Sequence, residues 1–388
     1  MAARLQAAKA MQHWVSVAST ASLPSASALP SVSIPLLSGE ACLARLRHHK
    51  NPHKILAMFS SAFRSADGAD VGAITTDAAA MVVQLDDHMV HRGHAVFDTA
   101  NVANGCVYGL DFHLDRLRKS ASHCRIDEGT VKWPKDRLRS VILQMVAASG
   151  KRDGVFVRYW LTAGTGSLGV SPSGVVGGAQ FYAVVEDYDP SAKAAMGGVS
   201  EVTIPPSVVP LKPPMLATSK TTNYLLNALV TMAAEERGGF LGIQLHADGV
   251  TVAEQSVANI AVVDASGAMK VPPFDSILHG TTVSRAIELV SAALEEGAAV
   301  GGGVPAELRS VEISEVAVED LYDACEIFSF GGGGIVPIVE IDGRTVGDGA
   351  VGPVYNFLQQ QLYGDIAGGG AEEEEQFHDV VPYMQYEK

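Results

Sequence analysis

The chain has 388 residues, of which 47% are hydrophobic and 18% charged, and its 28 basic against 43 acidic side chains leave a net charge of −15. This composition describes a folded protein with a large core and excludes disorder over most of its length. Its acidity argues against a nucleic-acid partner, since phosphate binding rests on clustered lysine and arginine, and no uncharged apolar run is long enough for a membrane span.

The charge is unevenly spread, with +6 over residues 1–66, −5 over 371–388 and −16 between them. Any anion site in the middle must therefore build positive potential locally. Cys42, Cys106, Cys124 and Cys325 are far apart and form no CxxC pair, which fits a reducing compartment with neither a disulfide frame nor a zinc site.

In chain order, residues 1–54 read as an N-terminal extension. Its first 33 residues, rich in Ser and Ala and free of acid, suit either an organellar transit peptide or a disordered arm. A helix is expected over about 39–50. Residues 55–194 read as a smaller α/β domain. In it, His88, His91 and His94 recur at three-residue spacing, but no carboxylate or cysteine pattern completes a ligand set, so no metal is expected. Segment 102–110 reads as two strands around Asn104-Gly105, a type I′ hairpin signal. Asp111 is expected to cap the next helix, on which Leu114, Leu117 and Ala121 share a face. A helix over 135–148 and a strand over 155–161 follow.

The Gly- and Pro-punctuated stretch from Pro190 to Pro214 reads as the connection to a larger domain, residues 195–365. There a helix is expected over 223–237, with Leu225, Leu226, Leu229 and Ala233 on its apolar face and Gly238-Gly239 as its stop. Strands over 242–246, 250–253 and 259–263 precede a helix over 282–296 that turns Ile287, Val290 and Leu294 inward. Strands over 326–330 and 335–341 flank a four-glycine loop, and Asp342-Gly343 forms a turn. Residues 366–388 form an acidic tail, with Glu372–Glu375 solvated. Without repeats or regular βαβ spacing, the fold class is α+β, mixed α/β, in two domains.

Three charges stand alone in uncharged sequence. Lys220 is the only one between Pro213 and Ala234, Glu254 between Gly249 and Val263, and Arg158 between Gly154 and Val185. Burying an unpaired charge costs several kcal/mol, so together they point to a shared polar pocket. A lysine in low-polarity surroundings loses its proton more readily and becomes a nucleophile suited to a Schiff base. Gly280-Thr281-Thr282 opens a helix whose free N–H groups can hold phosphate, and Gly331–Gly334 can form an anion nest. Arg116, opposite the apolar stripe of its helix, reads by itself as a solvated arginine.

The blocks His91-Arg92-Gly93-His94-Ala95-Val96-Phe97-Asp98-Thr99, Phe112-His113-Leu114-Asp115-Arg116-Leu117, Lys220-Thr221-Thr222-Asn223-Tyr224, Val252-Ala253-Glu254 with Asn259, Leu278-His279-Gly280-Thr281-Thr282 and Ile335-Val336-Pro337-Ile338 carry a resemblance over roughly residues 55–365. The sequence resembles the class IV, fold-type IV pyridoxal-phosphate enzymes, which include D-amino-acid aminotransferases, branched-chain aminotransferases and aminodeoxychorismate lyases. With its ending near Val381-Pro382-Tyr383, it is most similar to plant-type branched-chain-aminotransferase-like and D-amino-acid-transaminase-like proteins.

That resemblance implies pyridoxal 5′-phosphate as cofactor, amino acids and 2-oxo acids as substrates, and a homodimer in the cytoplasm or a plastid. Lys220 would form the internal aldimine and shuttle the Cα proton. Glu254 would face the pyridine nitrogen, while Arg116, Thr281, Thr282 and the backbone of Gly331 would hold the phosphate. On the substrate side stand Phe97, where D-specific relatives carry tyrosine, Thr99, and Arg158 as a carboxylate binder. The implied function is a transaminase acting on D-amino acids or branched-chain amino acids. An aminodeoxychorismate lyase and a non-catalytic holder of the cofactor are the alternatives.

Overall fold

The computed structural model describes residues 35–47, 54–65, 67, 71–188, 196–300, 303–368 and 377–385. The expectations for residues 1–33 and Glu372–Glu375 lie outside them. The chain divides into two units, Met1–Arg45 and Leu46–Lys388. Most of helix α1 (Gly39–Leu46) belongs to the first; Ser38 Oγ caps it by accepting the Ala41 N–H at 3.2 Å, and no side chain on it is buried.

The second unit begins with β1 (Ile55–Ser60), β2 (Ala73–Thr75), α2 (His88–Arg92), β3 (Ala95–Ala103), β4 (Cys106–Tyr108), α3 (Leu110–His123), α4 (Asp127–Lys132), α5 (Lys135–Ser149), β5 (Val155–Thr162) and β6 (Phe181–Asp187). Asn104 and Gly105 join β3 to β4 with φ of 50° and 76°, the pair of positive values a type I′ turn demands. Alternation along β3 sorts its side chains into two faces. Val96, Ala100 and Val102 pack with Leu114, Leu117 and Ala121 of α3 and with Leu138, Ile142 and Met145 of α5, whereas Phe97, Thr99 and Asn101 line a cavity. Asp111 does not cap α3. Gly109, at φ 61°, turns the chain out of β4 two residues sooner and takes the cap position, so Asp111 falls in the first turn, where Lys135 and Arg139 bind it.

The chain continues through β7 (Val199–Glu201), β8 (Thr203–Ile204), α6 (Pro214–Ala217), α7 (Leu225–Glu235), β9 (Ile243–Leu245), β10 (Val252–Gln255), β11 (Asn259–Val263), β12 (Ala268–Val271), α8 (Thr281–Val300), β13 (Ser310–Ile313), α9 (Val318–Tyr322), β14 (Glu326–Gly331), β15 (Gly334–Ile341), β16 (Arg344–Thr345), α10 (Pro353–Ala367) and β17 (His378–Val380). Among the described residues, one sheet runs β17-β4-β3-β5-β6-β1-β2, all antiparallel. A second runs β13-β12-β11-β14-β15-β16 with β7 beside β15, and a short third runs β10-β9-β8. β12 with β13, β15 with β7 and β8 with β9 are parallel, so the class is mixed. No helix among these residues is long and apolar enough to cross a membrane.

The Gly- and Pro-punctuated stretch contains β7 and β8, which pair with β15 and β9. β17 returns the end of the chain to the first sheet beside β4. α7 buries Asn227, Val230 and Ala234; of the expected apolar face, Leu226 and Ala233 pack half-buried beside them, while Leu225 and Leu229 are 72% and 38% exposed. Val230 and Ala234 pack on Val202, Ile204 and Val209, while Asn227 is drawn inward by donating to the Ser256 carbonyl. The four glycines close a two-residue hairpin between β14 and β15, with Gly332 and Gly333 at φ 58° and 72°.

Candidate active site

A cavity of about 790 Å³ is lined by Phe97, Thr99, Arg116, Arg158, Lys220, Glu254, Thr281, Thr282 and Gly331, and so gathers every site residue singled out in the sequence. Lys220 is fixed at its backbone. Phe97 N–H donates to its carbonyl at 2.9 Å, its own N–H donates to Ser120 Oγ at 3.0 Å, and Val96 bridges Thr221. A short antiparallel contact with β3 thus aims the lysine into the cavity. Its Nζ lies 3.4 Å from Tyr224 Oη and 4.7 Å from the centre of the Phe97 ring. Burial, reinforced by the Arg116 and Arg158 charges and opposed by Asp98 and Glu254, brings its pKa down to about 8.

Glu254 on β10 is 4% exposed. Burial pushes its pKa up to about 7 against the pull of Lys212, the Leu278 N–H and Lys220. Among the described residues its carboxylate accepts one protein hydrogen bond, from Leu278 N–H at 3.2 Å. The site therefore has room for a further donor.

Arg116 is not a solvated arginine. Its side chain is 13% exposed and makes a two-point contact with Asp98, Nε to Oδ2 at 2.9 Å and Nη2 to Oδ1 at 2.7 Å. Asp98 falls on the core face of β3, where a carboxylate has no water, so α3 supplies its partners: Arg116 and, at 2.9 Å, His113 Nδ1. Burial alone would raise the Asp98 pKa, but the charges of Arg116 and His113 outweigh it and hold the carboxyl well below its usual range. Arg116 Nη1 reaches the His279 carbonyl at 3.2 Å, beside the start of α8.

At that start, Ser284 N–H bonds Gly280 carbonyl, leaving the N–H groups of Thr281 and Thr282 in the unpaired first turn. Gly280 is required there, because a Cβ would come within 1.9 Å of Asn259 Oδ1. Thr282 Oγ1 accepts the Gly333 N–H at 3.1 Å, which ties the glycine hairpin to α8 and commits that N–H to the protein. Arg158 reaches the cavity from β5 opposite Thr99; its Nη2 is 3.5 Å from Glu186, and its buried Nε has no hydrogen-bond partner among the described residues. The three histidines lie elsewhere. His88 and His94 meet Nδ1 to Nδ1 at 3.2 Å, and their Nε2 atoms contact the Gly169 and Cys124 carbonyls.

Sequence reasoning missed the roles of Asp98 and Tyr224 and the place of Lys212 in the cavity wall. Asp98 is the only Asp, Glu, Lys or Arg between Arg92 and Asp111, and Lys212 the only one between Glu201 and Lys220. The isolation that marked Lys220 marks both.

Residues 95–341 match the family model described as Amino-transferase class IV. The chain is 38% identical to the chloroplastic D-amino-acid transaminase of Arabidopsis thaliana, over 87% of this chain and 83% of that protein. It is 26% identical to the D-alanine aminotransferase of Bacillus licheniformis, over 73% and 92%. Its fold is similar to that of the branched-chain amino acid aminotransferase from Escherichia coli, with a TM-score of 0.65, 23% identity, and 85% of this chain and 100% of that one covered.

Proposed function

The chain belongs to the class IV aminotransferases, and from that premise we propose that its cavity holds pyridoxal 5′-phosphate and moves an amino group between a D-amino acid and a 2-oxo acid. The observation that carries the reading is a desolvated amine, Lys220, set in one cavity with an anion cradle at Arg116 and α8 and with a buried carboxylate that has an oxygen to spare, Glu254. Those residues fit the group: the cradle suits its phosphate and the carboxylate its ring nitrogen. When bound, it supplies an aldehyde that condenses with amines and a ring that takes up the electrons left at Cα.

The chain's own groups do the rest. Arg116, the N–H groups of Thr281 and Thr282, the Thr282 hydroxyl and the backbone of Gly331 bind phosphate, the Arg fork already oriented by Asp98. Glu254, as the anion, holds a proton at the ring nitrogen. Lys220 Nζ, as a free amine, would take the proton from the substrate Cα and deliver it to the cofactor's former aldehyde carbon, the transfer that distinguishes amino exchange from racemisation. Phe97 and Tyr224, whose rings pack edge to face at 5.0 Å, wall the amine from water. Arg158, with its unpartnered Nε, and Thr99 receive the substrate carboxylate. The reading also includes a homodimer, supported by the apolar side chains Leu225 and Met232 that α7 leaves 72% and 53% exposed. Light scattering should then give about twice the 40.7 kDa chain mass, and a 40.7 kDa particle at micromolar concentration contradicts it.

The test is an amino-transfer assay on the cofactor-loaded protein. D-Alanine should donate to a 2-oxo acid far faster than L-leucine does. Arg158→Met should raise KM for the amino acid about tenfold with a smaller change in kcat, the pattern of a lost binding contact. Pyruvate released from aminodeoxychorismate without any amino acceptor would make the enzyme a lyase instead, and a protein that takes up no pyridoxal phosphate would overturn the reading.

A further inference from the structure

Asn259 opens β11, is 3% exposed and lines the cavity. A tight turn, closed by Gln255 N–H donating to the Ala258 carbonyl at 2.9 Å, joins its strand to β10 and so ties it to Glu254. Alternation puts Asn259 on the face of β11 that carries Ala261 and Val263, the face on which Val283, Ala286 and Val290 of α8 pack. A polar side chain on such a face needs a partner, and Asn259 finds one in the segment leading into α8, where its Nδ2 donates to the Leu278 carbonyl at 2.9 Å. Leu278 is thereby gripped at both its backbone groups, because its N–H donates to Glu254 Oε2 at 3.2 Å. Two residues on, Gly280 lies against Asn259 Oδ1 with no room for a Cβ between them. The Gly280 carbonyl then begins the helix by accepting the Ser284 N–H at 3.1 Å and the Ser284 hydroxyl at 2.8 Å.

We propose that Asn259 is a positioning residue that fixes the separation between the two ends of the cofactor site, the Glu254 carboxylate and the anion cradle at the start of α8. The inference rests on the cofactor reading above and deepens it. Glu254 and the first turn of α8 belong to different elements, and the segment from Leu278 to Gly280 spans them. The Glu254 bond alone would leave that segment free to hinge about the Leu278 N–H. The bond from Asn259 to the Leu278 carbonyl and the close contact at Gly280 remove this freedom. A ligand with a ring nitrogen at one end and a phosphate at the other is held at both ends only if their spacing matches; the second contact then forms at a high effective concentration. A mismatch leaves each end competent by itself and loses the gain from joining them. Asn259 needs no contact with cofactor or substrate to do this.

The experiment measures dissociation constants of three probes on the full chain freed of cofactor: pyridoxal 5′-phosphate, pyridoxal without its phosphate, and inorganic phosphate. Asn259→Leu keeps a branched side chain of similar size and removes the donor, while Gly280→Ala presses on the same contact from the other side. In each variant the constant for pyridoxal phosphate should rise about tenfold or more, while those for pyridoxal and for phosphate stay within about twofold of wild type. Asn259→Ala combined with Gly280→Ala should bind pyridoxal phosphate more tightly than Gly280→Ala alone, because the shortened side chain vacates the space the new methyl needs. Where Asn259→Leu does not fold, the Gly280→Ala pair carries the same test. A residue that merely supports the fold would weaken all three probes together, and one that touches the phosphate would weaken inorganic phosphate as well; either result overturns the proposal. So do unchanged constants for all three probes in both single variants. A wild-type chain that binds no pyridoxal phosphate removes the cofactor reading itself, an outcome distinct from a wild type that binds it and variants that match the wild type.

Discussion

Lys220→Ala is expected to lower the turnover of amino transfer by about 10⁴-fold or more, because one side chain supplies both the nucleophilic amine and the proton carrier. Its pKa of about 8 decides how well it can do either. Near pH 7.5 roughly a quarter of such amines are neutral, against about one in a thousand for a solvent-exposed lysine. The rate of cofactor uptake by the wild-type protein should therefore climb with pH up to about 8 and then level off. Cofactor affinity in the variant should fall less than turnover, since Arg116 and the first turn of α8 remain. A small amine added in excess should recover part of the rate by occupying the space beside Phe97 and Tyr224. Single-turnover absorbance measurements with a D-amino acid check this, and wild-type turnover in the variant would remove Lys220 from the chemistry.

The parts of the site legible in the sequence were those where chemistry conflicts with its neighbourhood. Lys220, Glu254 and Arg158 are charges in stretches that otherwise belong in a core, and all three line one cavity. The same conflict at Asp98 and Lys212 was there to be read: Asp98 sits in a strand, and Lys212 one residue outside the uncharged window around Lys220. Local turn chemistry was equally readable at Asn104-Gly105, where two positive φ values fix the hairpin. What failed depended on partners distant in sequence. Of the apolar stripe on α7, Leu226 and Ala233 join Val230 and Ala234 against β8 while Leu225 and Leu229 stay exposed, and nothing within the helix says which side of the stripe its partner meets. Likewise Arg116 looks like a surface residue on its own helix. Only the register of β3, which turns Asp98 toward α3, draws it inside.

That pairing supports the second large expectation: Asp98→Asn should cost about 3 kcal/mol of folding stability, measured by urea unfolding of the cofactor-free protein. The carboxylate is fully buried and receives Arg116 at two points and His113 at a third. An asparagine of the same shape removes the charge and offers an N–H where Arg116 also presents one. Arg116 is then left as a buried cation without its counter-ion, the configuration in which breaking an ion pair is most expensive. The pH dependence has a definite sign. A carboxyl whose folded pKa is depressed contributes stability that is present above its unfolded value of about 4 and is lost as pH falls toward the folded value. Asp98→Asn should therefore flatten the acid limb of the stability curve and leave the alkaline limb unchanged. A double-mutant cycle isolates the pair. In an Arg116→Met background the same Asp98→Asn change leaves no stranded cation, so its cost should drop by more than about 1 kcal/mol. Equal costs in the two backgrounds would mean that Asp98 stabilises the fold without orienting Arg116, and the phosphate end of the cavity would then have to be held in shape by the start of α8 alone.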